Sequence, residues 1–217
     1  MMTRPLTYVA ILVAALSSII YFLDRNLESF YIFQLDHLHD LAKRGIAAHG
    51  NDTRAIVDYI TAELHEMHPE NVNLKQEWFF NNHGGAMGSM FIIHARITEY
   101  LIIYGSAIGT EGHTGRHTAD DYFHMLTGEE WAYRPGEYVP EVYRAGSVHH
   151  LPRGEAKGYR IPDGGGFALE YARGWIPPMM FFGLSDAAFS TLDLPTVWTT
   201  AAVTAREMVG NLLVGKF

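Results

Sequence analysis

No cysteine occurs among the 217 residues. Its absence excludes disulfides, thiolate nucleophiles and cysteine–zinc sites, and leaves the redox compartment unreadable. Charge is also scarce: Asp, Glu, Lys and Arg make up 18% of the chain, against roughly 25% in ordinary soluble domains. Positive charge is the scarcer sign, with 16 Lys and Arg to 24 Asp and Glu and a net charge of −8, so nucleic acid is not an expected partner. Internal repeats and low-complexity tracts are missing. The Gly-rich turns His83-Gly84-Gly85 and Gly164-Gly165-Gly166 lack the lysine and the strand–loop–helix setting of a phosphate loop, and no nucleophile elbow supports a Ser–His–Asp hydrolase. Apolar residues, by contrast, are plentiful: 48% of the chain is hydrophobic and 13% aromatic. That balance suggests one sizeable globular core with appendages and a membrane-facing surface.

Near the N-terminus, Thr7 to Leu23 carries no charge. About 17 residues is the short end for a helix that spans a bilayer. Arg4 precedes the run, Asp24 and Arg25 follow it, and Tyr21 and Phe22 are placed for an interface. A cleaved signal peptide ending at the small residues Ala14 to Ser18 is the rival reading. The apolar run continues past them, so an uncleaved anchor over residues 1–25 is expected. So short a span suits a thin membrane such as that of the endoplasmic reticulum. Residues 26–75 read as helical. Leu35, Leu38, Leu41 and Ala42 keep helical spacing up to His49-Gly50, and Asn51 or Asp52 caps a second helix that buries Ile56, Ile60 and Leu64. Asn51-Asp52-Thr53 is also a glycosylation sequon, of consequence only on a lumenal face.

Across residues 76–176, short apolar runs alternate with Gly, Asn and Pro clusters. The candidate strands are Gln76–Phe80, Met90–Ala95, Glu99–Tyr104, Thr118–Met125, Trp131–Tyr133, Val142–His149, Gly158–Ile161 and the run from Phe167. Such strands without intervening helices predict a mainly β fold, a barrel or sandwich. After Pro177-Pro178 the chain turns helical again, over Met179 to Ser190 and Pro195 to Val214, with Asp193 placed to cap the second helix. Both segments are too apolar for free solvation and too short for confident spans. Residues 177–217 are therefore expected to lie as a pair against the membrane interface, a soluble oligomer contact being the alternative.

The stretch FALEYARGWIPP, Phe167 to Pro178, is apolar on both faces, as in a strand buried on both sides. One face holds Phe167, Leu169 and Tyr171; the other holds Ala168, Glu170 and Ala172. A buried carboxylate pairs, protonates or meets a cationic ligand, and the two alanines leave room beside Glu170. Pairing with Arg173 is the plain structural alternative. In the run Thr118 to Met125, the more apolar face carries Asp121 together with Ala119, Phe123 and Met125. Two inward carboxyls, Asp121 and Glu170, repel when both are ionised, so one holds a proton near neutral pH. Such a pair delivers a proton at one atom and removes one from a neighbour. Tyr100, Ile102 and Tyr104 share a face, from which a tyrosine hydroxyl can orient a carboxylate. His113, His117, Asp120, Asp121, His124, His149 and His150 form the competing set of metal ligands. Because His113 and His117 flank a turn instead of forming a strand pair, no metal is expected.

The runs GSAIGTEGHTGRHTADDYFH, GEYVPEVYRAGSVHH, ALEYARGWIPP, FSTLDLPT and the terminal NLLVGKF resemble the fungal sterol C-8 isomerase and sigma-1 receptor family over nearly the whole chain. The resemblance implies a cupin-like β-barrel with an N-terminal transmembrane helix and two C-terminal membrane-apposed helices, assembled as a homotrimer in the endoplasmic reticulum membrane. The isomerase branch moves a sterol ring double bond from position 8 to position 7, a redox-neutral reaction that requires no cofactor. The receptor branch binds lipophilic amines without a known reaction. By resemblance Glu170 is the ligand-gripping acid, Tyr100 bonds to it, and Met90, Ile102, Tyr104 and Ile176 line the barrel, with Ile92, Phe123 and Met180 completing the expected lining. Where the receptor branch has its second pocket acid, this chain has Phe123. Asp121 is therefore the expected proton donor, with Glu170 as cation stabiliser and base and Asp120 as the fallback acid. The expectation is a sterol isomerase fed from the bilayer beneath the C-terminal helices; the alternative is a non-catalytic amine and sterol binder.

Overall fold

The computed structural model describes residues 4–213 and 215; Val214, the end of the second expected C-terminal helix, lies outside them. The chain divides into two units, one ending at Ile32 and the other beginning at Phe33. The first consists of helix α1 (Arg4–Arg25) and a 3-10 turn, Leu27–Phe30. Its segment Leu6–Arg25, 20 residues with a mean hydropathy of 2.2 and none of it buried, is long and apolar enough to cross a membrane.

In the second unit, α2 (Leu35–His49) and α3 (Thr53–Met67) pack on each other. Asp52 is the cap: its carboxylate accepts from the Ala55 amide at 3.1 Å, satisfying one of the orphan donors of the first turn. Leu38, Leu41, Ile56, Ile60 and Leu64 are fully buried, as their spacing predicts. Ten strands follow, all paired antiparallel: β1 (Phe79–His83), β2 (Ala86–Ala95), β3 (Glu99–Ser106), β4 (Thr110–His113), β5 (Ala119–Thr127), β6 (Glu129–Tyr133), β7 (Glu141–Arg144), β8 (Val148–Leu151), β9 (Gly158–Ile161) and β10 (Gly166–Gly174). They form a six-stranded sheet in the order β1-β2-β3-β10-β5-β8 and a four-stranded sheet in the order β4-β9-β6-β7. One face of the larger sheet meets α2 and α3, and its other face shares a lumen with the smaller sheet. The larger sheet is thus covered on both faces, which is why β10 reads as apolar on both sides.

Three strand expectations shift. The first strand begins at Phe79 rather than Gln76. The run Val142–His149 splits into β7 and β8, because Gly146 at φ +87° reverses the chain between them. Thr110–His113, absent from the candidate strands, is a strand; Gly112 sits where a Cβ would lie 2.4 Å from the Gly84 carbonyl oxygen, so glycine here marks close packing of backbones. Helix α4 (Ile176–Phe189) starts one residue before the two prolines, which occupy its first turn, where no amide donor is needed. In α5 (Leu194–Leu213), Asp193 caps as expected, accepting from the Thr196 amide at 3.1 Å and the Thr196 hydroxyl at 2.6 Å.

His124 lies on the helix-covered face of β5, its Nδ1 3.2 Å from the Leu169 carbonyl. Burial first, then the charge of His39, lowers its pKa from 6.5 to about 4. A histidine held neutral stabilises the fold above its unfolded pKa and loses that contribution as pH falls from 6.5 toward 4. Removing this group in His124→Asn is expected to weaken the acid sensitivity of the fold by on the order of 3 kcal/mol. Urea midpoints measured at pH 7 and pH 4.5 on both proteins check it; equal acid losses in the two would discount the histidine.

Candidate active site

Glu170 sits in the middle of β10, opposite Ile102 of β3 and Phe123 of β5. Its side chain therefore points into the lumen, flanked on its own strand by Ala168 and Ala172. Asp121 is opposite Ala172, which makes it the diagonal neighbour of Glu170 on the same face. Both carboxyl groups border the same cavity, with only the methyl groups of Ala168 and Ala172 beside Glu170 on its own strand. Burial raises both pKa values. That of Glu170 stands well above the carboxylate range, driven by burial, then by the charges of Asp121 and Glu130, then by the bond to Asp121. For Asp121 burial raises the pKa, while His117 and His149 pull it down and Glu130 pushes it up. Both carboxyls are thus pushed toward the protonated form, by burial first and by neighbouring carboxylate charge, and simultaneous ionisation of the two is disfavoured.

The alternatives raised by the sequence find other placements. Arg173 is on the opposite face, donating to the Tyr122 hydroxyl at 3.2 Å, and every charge acting on Glu170 is another carboxylate. Asp120 points away from the lumen and accepts from His150 at 2.9 Å, so it does not stand in for Asp121. The seven candidate metal ligands do not converge: His117, Asp121 and His149 border the lumen, Asp120, His124 and His150 face outward, and His113, away from the cavity lining, accepts from the Gly115 amide at 2.9 Å. Among the described residues no group of three or more His, Asp and Glu has the geometry to hold a metal.

The cavity between the sheets and α4–α5 has a volume of about 90 Å³. Met90, Tyr100, Ile102, Phe123 and Met180 border it. Ile92, Tyr104 and Ile176 are buried in the same apolar cluster around the cavity. The Tyr100 hydroxyl does not bond to Glu170; it is buried without a hydrogen-bond partner, as is the Thr204 hydroxyl of α5 that approaches it. Tyr104 directs its hydroxyl to Tyr159 at 3.1 Å, and Tyr159 in turn meets His83 Nε2 at 3.2 Å. Burial and the nearby His117 lower the pKa of His83 from 6.5 to about 4, so a neutral ring meets the Tyr159 hydroxyl. A third carboxyl was missed by sequence reasoning: Glu130 of β6, buried and bordering the cavity, bonded to His149 Nδ1 at 3.0 Å. The only signal for it was an acid beside Trp131 in a strand too short to assign its faces.

A pair of buried carboxyls in an apolar lumen defines a class of site, one that moves protons on a lipophilic molecule or grips a lipophilic cation. The chain belongs to the family described as ERG2 and Sigma1 receptor like protein, whose model matches residues 10–216. It is 63% identical over 214 residues to the C-8 sterol isomerase ERG2 of Gibberella zeae, covering 99% of this chain and 91% of that protein. It is 64% identical to the C-8 sterol isomerase of Neurospora crassa, covering 98% and 83%. The sigma non-opioid intracellular receptor 1 of Taricha granulosa is more distant, at 36% identity over 81% of this chain and 78% of its own. Among solved structures, an RmlC-like cupin from Shewanella frigidimarina superposes with a TM-score of 0.41 and 17% identity, over 51% of this chain and 96% of that one.

Proposed function

We infer that this chain is a C-8 sterol isomerase, moving a ring double bond from position 8 to position 7. The observation that carries the reading is the pair of carboxyls, Glu170 and Asp121, on one face of β10 and β5 and bordering the same apolar lumen. Glu170 gives its proton to C-9 and a tertiary cation forms at C-8. The Asp121 carboxylate stabilises that cation from a site with little water to compete and takes the proton from C-7. Loss of that proton from Asp121 and reprotonation of Glu170 restore the pair. Atoms and charge balance without a redox step, so the chemistry calls for no cofactor. These roles are the exchange of those expected from the sequence, and the reading is supported by the three carboxyls, Asp121, Glu130 and Glu170, that border one lumen. The test is incubation of the purified protein with a sterol bearing a C-8 double bond and mass spectrometry of the product. A bound but unchanged sterol would favour a receptor-type binder. Lipophilic amines suit either reading, since an ammonium takes the place of the cation.

The membrane setting belongs to the same proposal: α1 as anchor in the endoplasmic reticulum, ergosterol-type biosynthesis, and the homotrimer the resemblance implies. On α4 and α5 the apolar side chains of Phe181, Phe189, Leu194 and Trp198 are exposed, which supports apposition to lipid. The cavity of about 90 Å³ is well below the roughly 300–1,000 Å³ of ligand pockets. Sterol access then requires α4 and α5 to part, with Met179 and Met180 as adaptable side chains at the cavity edge. Phe181 is 72% exposed. Phe181→Asp is expected to lower activity on vesicle-borne sterol about tenfold while changing stability by no more than about 0.5 kcal/mol. Activity assays in vesicles beside a melting curve check it, and unaltered activity would argue against access at this face.

A further inference from the structure

We propose that Glu130, His149, Lys157 and Glu141 form a proton relay joining the acid pair to the solvent side of the protein. The proposal rests on the isomerase reading of the same site. The chain of contacts is continuous. Both carboxylate oxygens of Glu130 lie near His149 Nδ1, at 3.0 and 3.1 Å. On the other side of the ring, His149 Nε2 is 3.2 Å from Lys157 Nζ, and Lys157 Nζ donates to Glu141 Oε2 at 2.5 Å. Glu130, His149 and Lys157 are all at least 97% buried, whereas the Glu141 side chain is 33% exposed. Tyr143 holds the middle in place, stacked on the His149 ring at 4.5 Å and donating to Glu141 at 2.5 Å.

Four strand segments build this path at the junction of the two sheets. Glu130 is on β6 and Glu141 on β7, Lys157 immediately precedes β9, and His149 comes from β8 of the larger sheet. Phe123 pairs with His149 and Asp121 with Leu151, so His149 is the diagonal neighbour of Asp121 on the lumen face, as Glu170 is on the other side. Asp121 Oδ1 is buried there without a hydrogen-bond partner. Glu130 and His149 border the same cavity as the acid pair, whose volume of about 90 Å³ is room for roughly three waters. An unpartnered acceptor therefore faces a polar end of the cavity at which the relay begins.

The proton steps close. With a donor at Nδ1 and an acceptor at Nε2, Lys157 passes a proton to Nε2 while Nδ1 releases its own to Glu130. Glu130 then protonates the ionised member of the pair, and Lys157 is reprotonated from solvent by way of Glu141. The imidazole is left as the opposite tautomer. A proton leaving the pocket runs these steps backward and restores it. Each turnover at the pair puts one proton on C-9 and takes one from C-7, so one inbound and one outbound passage reset the ring. No electrons or heavy atoms move. Without the relay, the proton removed from C-7 has no way out, passes from Asp121 to Glu170 and is delivered to C-9 of the next sterol turned over.

The experiment uses a C-8 sterol carrying two deuteriums at C-7, turned over in ordinary water, with label counted in the product by mass spectrometry. Wild-type protein is expected to lose one deuterium to solvent. Glu130→Gln, with the inner link gone, is expected to deliver it to C-9 of the next sterol, so that product carrying two deuteriums rises several-fold. Glu141→Gln breaks the partly exposed outer link with less risk to folding and is expected to raise retention likewise, with imidazole buffer restoring exchange. A purely structural role for these side chains would change the rate and leave the label count alone. Retention of both deuteriums by the wild type, or loss of one by Glu141→Gln as readily as by the wild type, overturns the relay. A wild-type protein that forms no C-7 alkene would sink the isomerase reading instead.

Discussion

Glu170→Gln lowers turnover of a C-8 sterol by about 10³-fold, the scale of general acid catalysis together with lost charge stabilisation. The substitution keeps the side chain's size and can still donate to Asp121, but it cannot release a proton to C-9. Folding should survive, because a protonated Glu170 and a glutamine present similar donors to the same carboxylate. The pH dependence of stability offers an independent check. A carboxyl whose pKa is raised on folding binds more protons folded than unfolded. Its contribution is therefore intact below the ordinary value of 4.5 and is lost as pH rises from there through the raised pKa of Glu170. Glu170→Gln should flatten that decline. The measurements are product formation by mass spectrometry and melting temperature against pH. Turnover within a few-fold of the wild type would remove Glu170 from the chemistry.

Asp121→Asn is expected to cost about 10²-fold or more in kcat/KM, and to do so with a displaced pH profile. The wild-type pair needs Asp121 ionised and Glu170 protonated, so activity should rise through the lower apparent pKa of the pair and fall through the higher one. Part of the elevation of Glu170 comes from the Asp121 charge. In Asp121→Asn that charge is gone, Glu170 loses its proton more readily, and the alkaline fall of the remaining activity should move to lower pH. Profiles of kcat/KM from pH 5 to pH 9, measured with both proteins in the same buffers, decide it. An alkaline limb that stays in place would mean that the two carboxyls do not share a proton.

The inward direction of both acids was legible because strand parity is a local property. In β10 the two alanines beside Glu170 marked a face with space, and in β5 the apolar company of Asp121 marked the lumen side. The same parity placed Asp120 outward. Helix caps were legible for a similar reason: Asp52 and Asp193 each act on an amide three residues away. The split of Val142–His149 was less so, since Gly146 reverses the chain with no other change in the pattern. Tyr100 shows the limit in the other direction. Its face was correct, but its hydroxyl takes no partner in the protein, and parity says nothing about the last few ångströms of a side chain.

The amino-acid sequence by itself determined the mainly β fold with its flanking helices, the family, and the two carboxyls that meet in the lumen, because periodicity, turn chemistry and motif order are written along one chain. Only the tertiary structure decided that burial raises both acids, that Glu130 borders the same cavity, and that His149 links Glu130 to Lys157. Those outcomes depend on burial and on charges supplied by β5, β6, β8 and β10 together. Proton affinity in a closed space is set by everything that surrounds a group, and the surroundings exist only once the sheets have met.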